Sequence, residues 1–330
     1  MTAHSLTLGA STFSCQPGET VLETLSRENV HIPNSCRQGI CQSCLMRSLD
    51  NPPPALAQNG LKDTLKTQNY FLACVCRPEQ DMTVALPDYQ GALIEARVIQ
   101  KQLLSPDILR LVLSYETEFN FFAGQFVNLQ RPDGLTRSYS IANSPQQDNR
   151  LELHIRRLPN GQFSNWAHDE METGTPLILS QAQGSCHYLP GRAEQPLVLV
   201  GTGSGLAPLL GIITDALEQA HSGPIHLFHG SRDLNGLYLM AEMRELAAKF
   251  DNFHYTPCLS GETADDDIMQ GRVHDIALSV IQNFKGWRVY LCGHPEMVRQ
   301  TKKMTYLKGA SIADIYADAF HVAQPPSSGS

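Results

Sequence analysis

Ser35-Cys36-Arg37-Gln38-Gly39-Ile40-Cys41-Gln42-Ser43-Cys44, followed at a distance by Cys74 and Cys76, is the stretch that decides the first fold of this chain. The spacing is C-x4-C-x2-C with a remote fourth cysteine, that of a loop wrapped around a [2Fe–2S] cluster. Two iron ions bridged by two sulfides need four thiolates converging from different directions. Cys36, Cys41 and Cys44 supply three, and the remote pair offers the fourth. The small residues Ser35, Gly39 and Ser43 let backbone N–H groups approach the sulfurs and stabilise their negative charge. A structural zinc site is the competing reading, with Cys41-x2-Cys44 paired to Cys74-x-Cys76. The three-cysteine spacing favours iron–sulfur. Upstream, Thr20-Val21-Leu22-Glu23 predicts a capping box at the start of a short helix.

Outward from that loop, the chain has 330 residues, 42% of them hydrophobic and 18% charged, which suits several core-forming domains. Its net charge of −8, with no polybasic run, excludes the electrostatic footprint of a nucleic-acid binder. No apolar stretch approaches the roughly 20 residues of a membrane span. Met1 to Cys15 shows neither a basic nor an apolar leader region, so a cytoplasmic protein is expected. Nine cysteines in such a protein point to metal or redox chemistry more than to disulfides. Cys15, Cys186 and Cys258 carry no motif and read as core thiols. Turn-rich punctuation predicts domains at 1–88, 93–192 and 195–322, then a low-complexity disordered tail at 323–330. The middle domain alternates like Leu151-Glu152-Leu153-His154-Ile155 and is β-rich. The third alternates apolar strands (Leu197–Val200, Ile225–Phe228, Phe253–Pro257, Val289–Cys292) with helical stretches, the pattern of a parallel α/β sheet.

The middle domain holds Arg137-Ser138-Tyr139-Ser140, then His154, Arg156-Arg157 and Gly161-Gln162-Phe163-Ser164. Arg137 offers a planar fork to a phosphate, Tyr139 a face to an isoalloxazine ring, and Ser140 a hydroxyl to flavin N5. Gly161 and Ser164 would open a helix whose N-terminus suits a pyrophosphate. His154 and Arg156 are further flavin-contact candidates. Alone, R-x-Y-S is a short motif that a strand with an exposed arginine also explains. Its weight comes from standing between an iron–sulfur loop and a nucleotide turn.

That turn is Gly201-Thr202-Gly203-Ser204-Gly205-Leu206-Ala207-Pro208, running from an apolar strand into a helix with Leu209, Leu210, Ile212, Ile213 and Leu217. Glycines admit a pyrophosphate close to the backbone, and Pro208 is tolerated in a first helical turn. It is not a G-x-G-x-x-G fingerprint. Tyr290-Leu291-Cys292-Gly293-His294-Pro295 repeats the strand–turn–helix logic, and the two turns can meet at the C-terminal edge of one sheet. After the second strand, Ser231 and Arg232 suit a 2′-phosphate and Asp233 a free 2′-hydroxyl. Surface loop is the plain alternative.

To about Val322 the chain resembles the ferredoxin–NADP⁺ reductase superfamily, in the subgroup with an N-terminal plant-type [2Fe–2S] ferredoxin domain. That subgroup holds reductase components of multicomponent oxygenases, such as those of phenol hydroxylase, methane monooxygenase and benzoate dioxygenase. It also holds the CDP-6-deoxyglucoseen reductases. The resemblance implies a multidomain fold: an α+β β-grasp ferredoxin domain, an antiparallel β-barrel flavin domain and an α/β parallel-sheet nicotinamide-binding domain. It implies that Cys74, following Phe71-Leu72-Ala73, is the fourth ligand. It places Arg137, Ser138, Tyr139 and Ser140 on FAD, with Gly161 and Ser164 at its phosphates. Gly201, Thr202, Gly203, Ser204 and Gly205, with Arg232, would take the nicotinamide cofactor. Cys292 and Gly293 would lie beside its ring, and Asp318 with Phe320 would form the C-terminal acidic-x-Phe motif near the flavin. Ser140, Cys292 and Phe320 would be the catalytic set. Thr202, in place of the first glycine of the family's turn, and His294, in place of the proline after Cys-Gly, are departures expected to alter nicotinamide docking.

The resemblance further implies an NADH-dependent enzyme, with NADPH kept open, that passes electrons singly through FAD and the cluster to a protein acceptor. The leading acceptor is an oxygenase component. A sugar-nucleotide deoxygenating dehydratase is the second reading, and a redox-sensing or carrier module without turnover the third. The rim of Arg37, Gln38 and Gln42 is the expected docking surface, and a monomer the simplest state.

Overall fold

A computed structural model describes residues 4–34, 37–39, 42, 44–87, 93–146, 149–261 and 267–320. Cys36, Cys41, the connector around 88–92 and the tail 323–330 lie outside them. The chain divides into two compact units, Met1–Gln90 and Gly91–Ser330.

The first unit is a mixed five-stranded sheet of β1 (His4–Leu8), β2 (Ser11–Cys15), β3 (Leu45–Ser48), β4 (Tyr70–Leu72) and β5 (Met82–Ala85). Its order is β2-β1-β5-β3-β4, with β1 and β5 parallel and the other pairs antiparallel. Helix α1 (Val21–Arg27) and the single turn α2 (Asp63–Lys66) complete it. Leu6, Leu22, Leu25, Met46 and Phe71 fill the core, as a grasping helix on a sheet requires.

Helix α1 starts where the sequence says it should. Thr20 Oγ1 accepts from Glu23 N at 3.2 Å, and Glu23 Oε2 accepts from Thr20 N at 2.8 Å. The cysteine-bearing segment satisfies two more of its free amides. Val21 N donates to Cys76 O at 2.8 Å and Leu22 N to Ala73 O at 3.1 Å. The helix start therefore fixes the chain on both sides of Cys74.

The second unit begins with β6 (Ile94–Ser105), β7 (Ile108–Tyr115), β8 (Phe126–Gln130), β9 (Thr136–Ser140), β10 (Arg150–Arg156) and β11 (Pro176–Leu179), with α3 (Gln162–Asp169) before the last. These strands pair antiparallel in the order β10-β7-β6-β11-β8-β9. A bridge between Ile141 and Leu153 joins the two edges and closes the barrel.

Next comes a parallel sheet of β12 (Leu197–Thr202), β13 (Ile225–Ser231), β14 (Phe253–Leu259), β15 (Met269–Gln270), β16 (Arg288–Gly293) and β17 (Ile315–Ala319). Its order is β15-β14-β13-β12-β16-β17. Helices α4 (Leu206–Glu218), α5 (Met240–Lys249), α6 (Val273–Val280) and α7 (Pro295–Leu307) cover it. The order reverses beside β12, so the crevice at its C-terminal end is a switch point. Every strand expected in this sheet is present, and Pro208 sits inside the first turn of α4.

Thr20→Ala removes the Oγ1 half of the capping box, leaving Thr20 N to donate to Glu23, at a cost of about 1 kcal/mol. Amide hydrogen exchange at Val21–Arg27 is expected to accelerate about fivefold, with exchange in α4 unchanged. Equal acceleration in both helices would contradict a local cap.

Candidate functional site

In the first unit the structure brings Cys44 and Cys74 together: their thiols share a hydrogen bond, and Ala73 N donates to Cys44 O at 3.0 Å. Burial pushes the Cys44 thiol up to about 11, so a thiolate there calls for a cation beside it, which iron supplies. Cys76 is fully buried and faces elsewhere. Burial, then the proximity of Cys15 and Glu79, pushes it up to about 12. Arg37, Gly39 and Gln42 take left-handed backbone conformations (φ +54°, +72° and +59°), the habit of loops that gather N–H groups around an anion. These features fit a [2Fe–2S] cluster.

In the second unit the decisive geometry is the meeting of two turns. A Cβ on Gly205 would lie 2.3 Å from the Cys292 carbonyl oxygen, and one on Gly293 would lie 2.6 Å from both Thr202 O and Oγ1. Only glycine fits either position. Thr202 Oγ1 accepts from His294 N at 3.0 Å, and the His294 ring accepts from Glu296 N at 3.3 Å to cap α7. Thr202 and His294 are thus bonded to each other and hold the two turns together.

The same edge reaches the barrel. Asp318 stands beside Cys292 in β17, and Ser140 Oγ donates to Asp318 Oδ2 at 3.4 Å. Phe320 N donates to Gly293 O at 2.9 Å, which pins the half-buried Phe320 at this junction. Ser140, Cys292, Gly293, Asp318 and Phe320 therefore converge, although they come from three parts of the sequence. The Cys292 thiol is buried and lies 3.8 Å from that of Cys186, a neighbour no motif announces.

Around this junction the donors point two ways. Arg137 Nη1 donates to its neighbour's carbonyl, Thr136 O, at 2.7 Å, and Ser138 Oγ to Asn128 Oδ1 at 2.7 Å. The Tyr139 ring packs 5.4 Å from Phe163 of α3, and its burial raises the phenol pKa. Helix α3 begins at Gly161 and α4 at Gly205, neither with a side-chain cap. The α3 start leaves first-turn amides for an outside acceptor, as a bound pyrophosphate would be, whereas α4 continues a turn at Gly203–Gly205 and its Leu206 N already donates to Gly203 O. A Cβ on Gly161 would lie 2.3 Å from Ser164 Oγ and would turn that hydroxyl away. Ser164 itself is buried and braces the loop, accepting from Leu158 N at 3.1 Å and donating to Gly161 O at 3.3 Å. Arg156, held by Asp107 Oδ2 at 2.9 Å, brings Nη1 to 3.3 Å from the Cβ position of Gly203. Ser204 lies half-buried in the same turn. These uncapped helices and glycine cradles fit two dinucleotides.

Two expected residues sit apart from this junction. His154 is buried with both ring nitrogens bonded inside the protein, to Glu152 and Tyr238. Arg232 is exposed on the loop after β13. Asp233 there accepts from Gly236 N at 3.0 Å, and Ser231 Oγ accepts from Asp233 N at 3.3 Å.

Comparison with known proteins agrees with this geometry. Residues 7–79 match the 2Fe-2S iron-sulfur cluster binding domain, 95–188 the oxidoreductase FAD-binding domain and 199–303 the oxidoreductase NAD-binding domain. The chain is 31% identical to the phenol hydroxylase P5 protein of Acinetobacter pittii, over 94% of this chain and 92% of that one. It is also 31% identical to the aromatic O-demethylase reductase subunit of an Amycolatopsis species, over 96% and 98%. The crystal structure of the Amycolatopsis reductase GcoB superposes with a TM-score of 0.68 at 32% identity, covering 96% of this chain and 98% of that one.

Gly205→Ala forces a methyl into the Cys292 carbonyl and must part the two turns. Overpacking of this kind costs about 1–3 kcal/mol. NAD⁺ affinity, measured by calorimetry, is expected to fall about tenfold or more. Unchanged affinity would mean that the turns do not meet in the binding state.

Proposed function

The chain belongs to the ferredoxin–NADP⁺ reductase superfamily, in the subgroup with an N-terminal [2Fe–2S] domain, and from that footing we propose the roles of its residues and the nature of its partner. It is an NADH-dependent flavin iron–sulfur oxidoreductase. FAD, when bound, would supply hydride-accepting and one-electron-donating chemistry, and a [2Fe–2S] cluster would supply one-electron chemistry. The convergence of Ser140, Asp318 and Cys292 carries the reading, because it sets the flavin strand against the nicotinamide turn.

Arg137, Ser138, Tyr139 and Ser140 hold the flavin, with the α3 amides behind Gly161 at its pyrophosphate. Ser164 serves by keeping that loop shut. The turn from Gly201 through Ser204 to Gly205, with the first turn of α4, takes the nucleotide pyrophosphate. Arg156 places positive charge beside Gly203. Asp318 orients the Ser140 hydroxyl, Phe320 shields the junction from water, and Cys292 with Gly293 forms the wall against the nicotinamide. Arg232 and Asp233 flank the adenosine ribose, and the Asp233 carboxylate, fixed by Gly236 N, favours a 2′-hydroxyl over a 2′-phosphate. Cys36, Cys41, Cys44 and Cys74 hold the cluster.

The acceptor is a protein that takes one electron at a time, and we assign it as the oxygenase component of a multicomponent system. The phenol hydroxylase and aromatic O-demethylase names of the relatives support that choice. Use of NADH supports a cytoplasmic site of action, and a monomer suits a diffusing carrier. Among the described residues no helix is long and apolar enough to cross a membrane.

An anaerobic NADH titration, read by visible absorption and low-temperature EPR, tests the route. Flavin bleaching with a rhombic reduced-cluster signal is expected. Cys74→Ser should lose that signal and all cytochrome c reduction while still bleaching with NADH, whereas Cys76→Ser keeps both. The reverse pattern would reassign the fourth ligand.

Asp233→Ala should raise kcat/KM for NADPH relative to NADH by about tenfold, since removing a carboxylate that faces a phosphate gains on the order of 1.4 kcal/mol. An unchanged ratio would take Asp233 out of the ribose site.

A further inference from the structure

A line of hydrogen bonds leaves the flavin barrel and ends, buried, in the loop that leads from the nicotinamide sheet into α5. Arg110 Nε of β7 donates to Glu152 Oε1 at 2.9 Å, and the same oxygen lies 2.9 Å from His154 Nε2 on β10. His154 Nδ1 lies 3.0 Å from the Tyr238 hydroxyl. His154 and Tyr238 are 4% and 3% exposed. A carboxylate can only accept, so Nε2 carries the imidazole proton, Nδ1 accepts, and Tyr238 donates. Burial holds His154 neutral and its pKa below the usual range, against the opposing pull of Glu152. Burial raises the Glu152 carboxyl, but the hydrogen bond from His154 and the charge and hydrogen bond of Arg110 outweigh it and hold it below the usual carboxylate range. Each donor and acceptor has one defined role, so the geometry is fixed.

The far end of this line matters most. Tyr238 follows Ser231–Asp233 and the short turn Leu234–Gly236, and precedes Leu239, a left-handed residue (φ +58°) at the start of α5. Its ring stands edge-on to His154 at 5.4 Å and to His229 of β13 at 5.8 Å. The ribose loop is thereby tied across the domain junction to the flavin barrel.

We propose that His154 and Tyr238 are positioning residues for hydride transfer: their bond locks the ribose loop to the flavin barrel, so a nucleotide held by its adenosine end arrives with its nicotinamide in register with Ser140 and Cys292. The inference rests on the reading of the chain as an NADH-driven flavin reductase. The nucleotide is gripped by the sheet, but its ring must meet a group held by the barrel. Rocking of one on the other misplaces the reacting atoms, and an error of about 1 Å can cost about a hundredfold in rate. Other attachments are made by α4, where the Cβ position of Gly211 is 3.1 Å from Ile141 O, and by Ser140 with Asp318. The His154–Tyr238 bond is the attachment that involves the segment next to the ribose loop.

The test uses the intact protein loaded with FAD and cluster. Tyr238→Phe keeps the ring and removes the hydroxyl. Anaerobic stopped-flow mixing with NADH should show the limiting rate of flavin bleaching reduced at least tenfold, with the Kd for NADH within threefold of wild type. Hydrogen exchange with NAD⁺ bound should quicken across Leu237–Lys249 and stay unchanged in α4. The double variant His154→Phe/Tyr238→Phe separates positioning from simple stability. Removing both polar partners leaves no buried group unsatisfied between them, so its Tm should recover while its bleaching rate stays low. A wild-type bleaching rate in Tyr238→Phe, a rise in Kd alone, or a double variant that recovers its rate with its Tm would each overturn the proposal. Wild-type protein that NADH fails to bleach would overturn the reductase reading instead.

Discussion

The reductase unit depends on a contact with no room for a side chain. Gly205 and Gly293 approach each other's turns so closely that a single methyl at either would strike backbone, 2.3 Å from Cys292 O in one case and 2.6 Å from Thr202 O in the other. Backbone contact of this kind fixes β12 against β16 at their C-terminal ends. Asp318 then follows from pairing with Cys292, and Phe320 from its bond to Gly293 O. Ser140 meets Asp318 only because that edge is held where it is. The meeting of these residues is thus a consequence of sheet register before it is a matter of side-chain chemistry.

A second constraint concerns helix starts. Helices α1 and α7 satisfy first-turn amides with Thr20 and His294, whereas α3 and α4 begin at Gly161 and Gly205 without a side-chain cap. An uncapped helix sacrifices on the order of 1 kcal/mol. Helices α2, α5 and α6 also start without a side-chain cap, so what sets the α4 start apart is the close backbone approach at Gly205. Breaches of local rules that coincide in this way mark a site where a ligand completes the structure.

Much of this was legible in the sequence because it is local. The capping box at Thr20, the strand-to-glycine turns at Gly201 and Cys292, and Pro208 in a helical first turn depend on neighbours a few residues away. The residues that sequence reasoning placed differently depend on distant ones. On β10, alternation puts Glu152, His154 and Arg156 opposite the core-facing Leu151, Leu153 and Ile155, and His154 stood among the flavin-contact candidates. The structure buries it instead, because Tyr238, 84 positions further on, covers that part of the face. Cys186 read as an ordinary core thiol, and nothing near it announced Cys292 at 3.8 Å. Thr202 and His294 looked like two separate departures from the family pattern. Their hydrogen bond makes them one paired change, in which a hydroxyl takes over the joining of turns.

The first unit shows the same division between local signal and tertiary cause. Sequence spacing leaves Cys74 and Cys76 nearly equivalent, since each follows an apolar run and stands at a plausible distance from the loop. The amides of α1 break the tie. Their bonds to Ala73 O and Cys76 O fix the chain on both sides of Cys74, while Cys76 turns inward toward Cys15. Cys74 is left beside Cys44, held there by amides at the start of a helix that have no partner within it. A cluster that must accept and release electrons without moving its ligands is well served by that arrangement, because the clamp is backbone to backbone and tolerates any side chain facing outward.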